Sequence, residues 1–171
     1  MPRSIIKSIQ RASITIAGAA TTGTATITAV VTAHTQLRYL GDTADTNNLT
    51  AAKGNAIIDL TNTTTVTATR NTADAATMTI SIEVVEYVPG IIGSVQRGTF
   101  LDNASATITA VVMARATVDW LGFTSTNTTG SNNQTTINSG VKLTNTTTVD
   151  IVSGAAGGAQ QTVGYQVIEW R

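Results

Sequence analysis

Cysteine is absent from this 171-residue chain, which removes disulfides, thiol nucleophiles and cysteine metal sites together. A single histidine, His34, leaves a zinc site or a histidine-based triad almost nothing to draw on. Charged residues make up 12% and balance to zero, so no basic patch exists to neutralise nucleic-acid phosphates. Aromatic residues are 4%, a thin supply for a sugar-stacking platform. No apolar run approaches membrane-span length, and Met1-Pro2-Arg3-Ser4 opens without the apolar stretch of a signal peptide. Asp42, Asp45 and Asn47 superficially suggest oxygen ligands for calcium, but the glycine and closing glutamate of a calcium loop are missing. The expectation is a protein made in the cytoplasm, with no catalytic residue, cofactor or metal, and with neither nucleic acid nor membrane as a partner.

What the chain does have is the same series of motifs twice. Ile5-Ile6-Lys7-Ser8-Ile9-Gln10-Arg11 matches Ile91-Ile92-Gly93-Ser94-Val95-Gln96-Arg97. Thr24-Ala25-Thr26-Ile27-Thr28-Ala29-Val30-Val31 matches the stretch from Ser105 to Val112. Leu60-Thr61-Asn62-Thr63-Thr64-Thr65-Val66 returns as Leu143 to Val149, and Val84-Val85-Glu86-Tyr87 as Val167-Ile168-Glu169-Trp170. The offset is 86 from Arg11 to Arg97, 81 from Ile27 to Ile108, and 83 from Leu60 to Leu143 and from Glu86 to Glu169. Length changes therefore fall between motifs, as expected when motifs are strands and the gaps are loops.

Threonine supplies roughly one residue in five, a stiff β-branched side chain suited to pleated surfaces. The fold predicted is all-β: two tandem, sequence-related modules of six strands, each a sandwich or barrel, covering 1–88 and 89–171. In the first, strands are predicted over 5–16, 24–33, 35–40, 55–60, 64–70 and 76–87. In the second they are predicted over 91–100, 104–112, 115–123, 135–143, 147–152 and 161–170. Residues 50–53 have room for a helical turn. Irregular stretches are expected at 41–54, 123–134 and 153–161. Ala25, Ile27, Ala29 and Val31 share one parity and should face a core. Asn62 and Asn145 sit where a tight hairpin favours a left-handed residue.

Arg11 and Arg97 recur in the first strand of each copy, Glu86 and Glu169 in the last. An unpaired buried charge costs several kcal/mol, so internal pairs Arg11–Glu86 and Arg97–Glu169 are expected to join first and last strands. Pairing with a neighbouring subunit, or no pairing, are the alternatives. Tyr39 and Trp120 occupy matching positions, as do Tyr87 and Trp170. Such rings are either core anchors or, for Tyr87, Trp120 and Trp170, interface contacts.

As an ordered set, these motifs resemble the small threonine-rich β modules encoded among the structural genes of tailed bacteriophages. The resemblance covers nearly the whole chain, twice. It departs at Gly93, where copy one has lysine, and at Asp150 and Ile151, where it has Thr67 and Ala68. The resemblance implies a non-enzymatic virion component, a capsid decoration (cement) protein that stabilises a phage head. Its partners would then be the major capsid protein or other virion proteins, and further copies of itself as a trimer or dimer. The alternative is a tail or baseplate accessory, or a receptor-binding module.

Overall fold

A computed structural model describes residues 4–45, 49–126, 128, 140–152 and 160–171. The chain is all-β with several antiparallel sheets. Its strands are β1 (Ile6–Ile16), β2 (Thr22–Thr26), β3 (Thr35–Ala44), β4 (Ala56–Asn62), β5 (Thr65–Arg70) and β6 (Met78–Tyr87), followed by β7 (Ile92–Leu101), β8 (Ala106–Thr107), β9 (Ala116–Ser125), β10 (Val141–Asn145), β11 (Thr148–Ile151) and β12 (Gln161–Trp170). One helical turn, α1 (Ala51–Gly54), precedes β4, and 3-10 turns at Thr32–His34 and Met113–Arg115 lead into β3 and β9.

The strands form three sheets, ordered β1-β6-β3, β10-β11-β8 and β2-β5-β4-β9-β12-β7. Alternation explains where the cores lie. Ile14 and Ile16 on β1, Leu37 on β3 and Ile80, Ile82 and Val84 on β6 share a core with Ile58, Val66 and Ala68 of β4 and β5. A second core gathers Phe100, Phe123, Val163, Tyr165 and Val167 under Val149 of β11. A third, smaller cluster of Val85, Tyr87, Ile92 and Ile168 lies on the opposite side of β6 and β12.

The six-stranded sheet is continuous through one Cα pair, Ile57 opposite Gly122. The backbone at Gly122 has φ +93°, and a Cβ there would stand 2.0 Å from the Ala56 carbonyl oxygen. Glycine is required at this position for both reasons. Its sequence counterpart Gly41 (φ +128°) has nothing within 4 Å of where a Cβ would be. Each glycine sits beside a register shift, so the strand bends there and continues.

Three strand expectations need correction. The stretch 24–33 is strand only as far as Thr26, and of 104–112 only Ala106–Thr107 is strand. Ala25 and Ile27 are buried as expected, but beyond them Val30 points inward while Ala29 and Val31 are exposed. The alternation breaks because the chain leaves the sheet. The segment 35–40 continues to Ala44, since Gly41 makes a bulge rather than an end. Asn62 is not left-handed; its side-chain Oδ1 instead accepts the Thr64 N–H (2.8 Å) and hydroxyl (3.1 Å), and Asn145 does the same for Thr147. The predicted loops at 129–134 and 153–159, the first part of the strand 135–143, and Asn47 lie outside the described residues.

Candidate functional site

The four recurring motifs converge on one corner, and they do so twice. After Thr26 the backbone crosses between sheets and finds its hydrogen bonds on alternate sides. The N–H groups of Ile27 and Val30 donate to the carbonyls of Thr64 and Thr63, both at 2.9 Å. Thr28 bonds to a side-chain amide, its N–H donating to Gln10 Oε1 (2.6 Å) while its carbonyl accepts from Gln10 Nε2 (2.9 Å). The Val31 N–H donates to Glu86 Oε1 at 3.0 Å. Ile108, Val111, Thr109 and Val112 repeat every contact with Thr147, Thr146, Gln96 and Glu169. A backbone that leaves a ladder must satisfy its polar groups elsewhere, and glutamine is long enough to stand in for a neighbouring strand.

The expected ion pairs do not form. Arg11 bonds Glu83 (2.7 Å), not Glu86, and Arg97 bonds Gln166 Oε1 (2.8 Å), not Glu169. Register gives the reason. Arg11 lies opposite Glu83 and Arg97 opposite Gln166, on the faces turned away from the two large cores. Glu86 lies opposite Ser8 on the other face, and Glu169 lies opposite Ser94. Joining of first and last strands is found, since β1 pairs β6 and β7 pairs β12. Glu86 instead takes the Lys7 ammonium at 2.9 Å, reaching it across the register shift between Ile6 and Ser8. Glycine stands in that place in the second copy, and Glu169 has Arg115 at 4.0 Å.

These contacts set the charge states. Burial alone would raise the Glu86 carboxyl, but the Lys7 hydrogen bond and the Val31 N–H outweigh it and hold it below its ordinary value. A hydrogen bond from Arg38, with Arg11 alongside, holds Glu83 low against the opposing effect of burial. Burial pulls the Arg97 guanidinium down to about 10, against the attraction of Asp59 and Asp119. Its remaining N–H groups donate to the carbonyls of Thr32 (3.4 Å) and Thr35.

The rings expected as core anchors or interface contacts pair within the chain. Tyr87 and Trp170 make an edge-to-face pair at 5.2 Å, as do Tyr39 and Trp120 at 5.1 Å. Asp42 accepts the Tyr39 hydroxyl at 2.6 Å, and Asp45 accepts the Thr77 N–H at 3.1 Å. Among the described residues no three His, Asp or Glu side chains gather in a way that could hold a metal ion, and no helix is long and apolar enough to cross a membrane.

Several structurally decisive residues gave little sequence signal. Arg70 is 1% exposed and donates to the carbonyls of Ala20, Ala76, Ala17 and Asp74 at 2.9–3.2 Å, tying together the loops that flank β1–β2 and β5–β6. Gln166 accepts from the Leu37 N–H (3.1 Å) and donates to the Leu37 carbonyl (3.3 Å), covering the outer edge of β3, and donates also to Asp119 (2.9 Å). Gln10 and Gln96 were visible as repeated letters, though nothing in their spacing assigned them a role.

Two features of the described surface stand out. A groove of about 570 Å³ runs along the six-stranded sheet, lined by Ile57, Asp59, Thr61, Thr67, Thr69, Arg97, Thr99 and Thr162 among others. Overlapping it at Thr67 and Thr69, β2 and β5 pair Thr22 with Thr69, Thr24 with Thr67 and Thr26 with Thr65, placing six threonines on one face away from the core. No family model matches the chain, and neither the curated proteins nor the solved structures offer a match.

Proposed function

We propose that the chain is a tandem pair of six-stranded β-sandwich modules, residues 1–88 and 89–171, serving as a non-enzymatic structural component of a tailed-phage particle. Support for the duplication comes from strand order: β1-β6-β3 and β2-β5-β4 correspond to β7-β12-β9 and β8-β11-β10. Within the particle the reading is a capsid decoration protein, oligomeric, contacting the major capsid protein.

The observation that carries this role is the threonine face of β2 and β5. It is uncharged, and its side chains are already restricted at χ1 by branching. Ordering them against a neighbour costs little entropy, while a hydroxyl can both donate and accept, that of Thr67 already sharing one bond with Thr61. Such a face suits packing against protein on a lattice, where many modest interfaces act together. A tail or receptor-binding role is the second reading, favoured by the groove between Asp59 and Arg97.

Cryo-electron microscopy of the intact particle tests the proposal. Density for this chain on the head surface is the expected result; density at neck, tail or baseplate would overturn it in favour of the second reading. A companion assay is co-sedimentation with undecorated heads, which a Thr24→Lys/Thr26→Lys variant, altered outside the groove, should fail.

A further inference from the structure

The two copies differ in what covers them. In the second, β7 is covered by the first: Arg97 clamps the carbonyls of Thr32 and Thr35, which bracket the 3-10 turn at Thr32–His34. Ile92 is 3% exposed and Val95 is partly buried. In the first, the matching face of β1 is left exposed by the described residues. Arg11 has 70% of its side chain exposed, Ile9 is 46% exposed and Ile6 37%.

The turn has a bare counterpart as well. Met113–Arg115 repeats the geometry of Thr32–His34: the preceding valines have φ −85°, ψ 106° and φ −83°, ψ 108°, and each turn closes with an N–H to the first carbonyl. Val112 is 47% and Met113 41% exposed. One chain thus carries a strand that lacks its turn and a turn that lacks its strand.

We propose that β1 of one molecule receives the Met113–Arg115 turn of a second molecule, Arg11 donating to the carbonyls of Met113 and Ala116 as Arg97 does to those of Thr32 and Thr35. The proposal deepens the oligomer assignment made under Proposed function and rests on it. Arg11 sits with Glu83 and Arg38, a cluster of one net positive charge that would face carbonyl acceptors, while Arg115 at the end of the turn has Glu169 at 4.0 Å as its own counter-charge. The contact is head to tail, because strand and turn are different surfaces. It therefore builds rings or open chains rather than isologous dimers.

Sedimentation velocity on three proteins tests this. Wild type should self-associate with rising concentration. Ile9→Asp/Arg11→Ser, which blocks the strand, and Val112→Asp/Met113→Asp, which blocks the turn, should each be monomeric. Mixed one to one, they should form a dimer and stop there, since each keeps one intact half. A monomeric wild type, variants that still associate alone, or a mixture that stays monomeric would each overturn the proposal. Far-UV circular dichroism confirms that the variants are folded. Head co-sedimentation reports on the particle role separately, because a monomer retains the threonine face.

Discussion

Replacing Gly122 and Gly41 separately by alanine sets two physical effects against each other. Both residues have positive φ, and the loss of unfolded-chain freedom on going from glycine to alanine is the same at each, so it cancels in the comparison. Backbone strain costs about 1–3 kcal/mol at such a conformation. Strain alone ranks Gly41 as the costlier site, because φ +128° lies further than +93° from the left-handed minimum near +57°. Contact ranks them the other way. At Gly41 a Cβ meets nothing, whereas at Gly122 it would lie 2.0 Å from the Ala56 oxygen and 3.2 Å from the Ile57 Cα. Backbone cannot swing aside as a side chain can, so β4 and β9 must separate, adding about 1–3 kcal/mol of overpacking. Set against the strain difference, Gly122→Ala should still lose about 1 kcal/mol more than Gly41→Ala, a further drop of about 2–4 °C in Tm for a chain of this size. Urea and thermal unfolding of the two variants read this directly. Equal losses, or a larger loss at Gly41, would refute the claim that the six-stranded sheet depends on close approach at Gly122.

Arg70→Met should destabilise by about 3–5 kcal/mol in urea unfolding, since four carbonyls lose a charged donor, while the exposed control Arg38→Met should lose less than about 1 kcal/mol. Gln10→Leu should speed amide exchange at Thr28, which loses its acceptor, and leave Ile27, bonded to Thr64, protected; hydrogen-exchange mass spectrometry or NMR separates the two. Glu83 and Glu86 have folded pKa values below their unfolded ones, so their stabilisation is fully present above the ordinary glutamate value of about 4.3. It is lost as pH falls through the lower folded values. A Glu83→Gln/Glu86→Gln variant should therefore show a flatter acid limb in a pH series of unfolding midpoints, and an unchanged limb would contradict the assignment.

Strand positions were largely legible because alternation and β-branching act locally. The strands 161–170 and 35–40 began where predicted, and the turn near Ala51 was visible as a break in the β pattern. Legibility failed where a residue's partner is distant. Nothing local says that Thr28 will find Gln10 rather than a strand, so the crossing segment read as more strand. Arg11 and Glu86 share a strand pair yet point to opposite faces, and only the register, set by the bulge at Ile6 to Ser8, reveals it. Arg70 was missed because it closes an otherwise ordinary strand, while its acceptors come from two loops.

The amide of Gln166 that covers the edge of β3 has a consequence in time. It belongs to β12, the last of the twelve described strands, so the Leu37 backbone groups lack this cover until the segment through Gln166 has been made. At about 5–20 residues per second that interval, from residue 89 to Gln166, is roughly 4–16 s on the ribosome. Throughout it the first half of the nascent chain presents an open strand edge, and neighbouring ribosomes on one message hold identical edges close together. Premature termination before residue 161 would make that exposure permanent, so truncated products should be sticky in a way the chain carrying β12 is not.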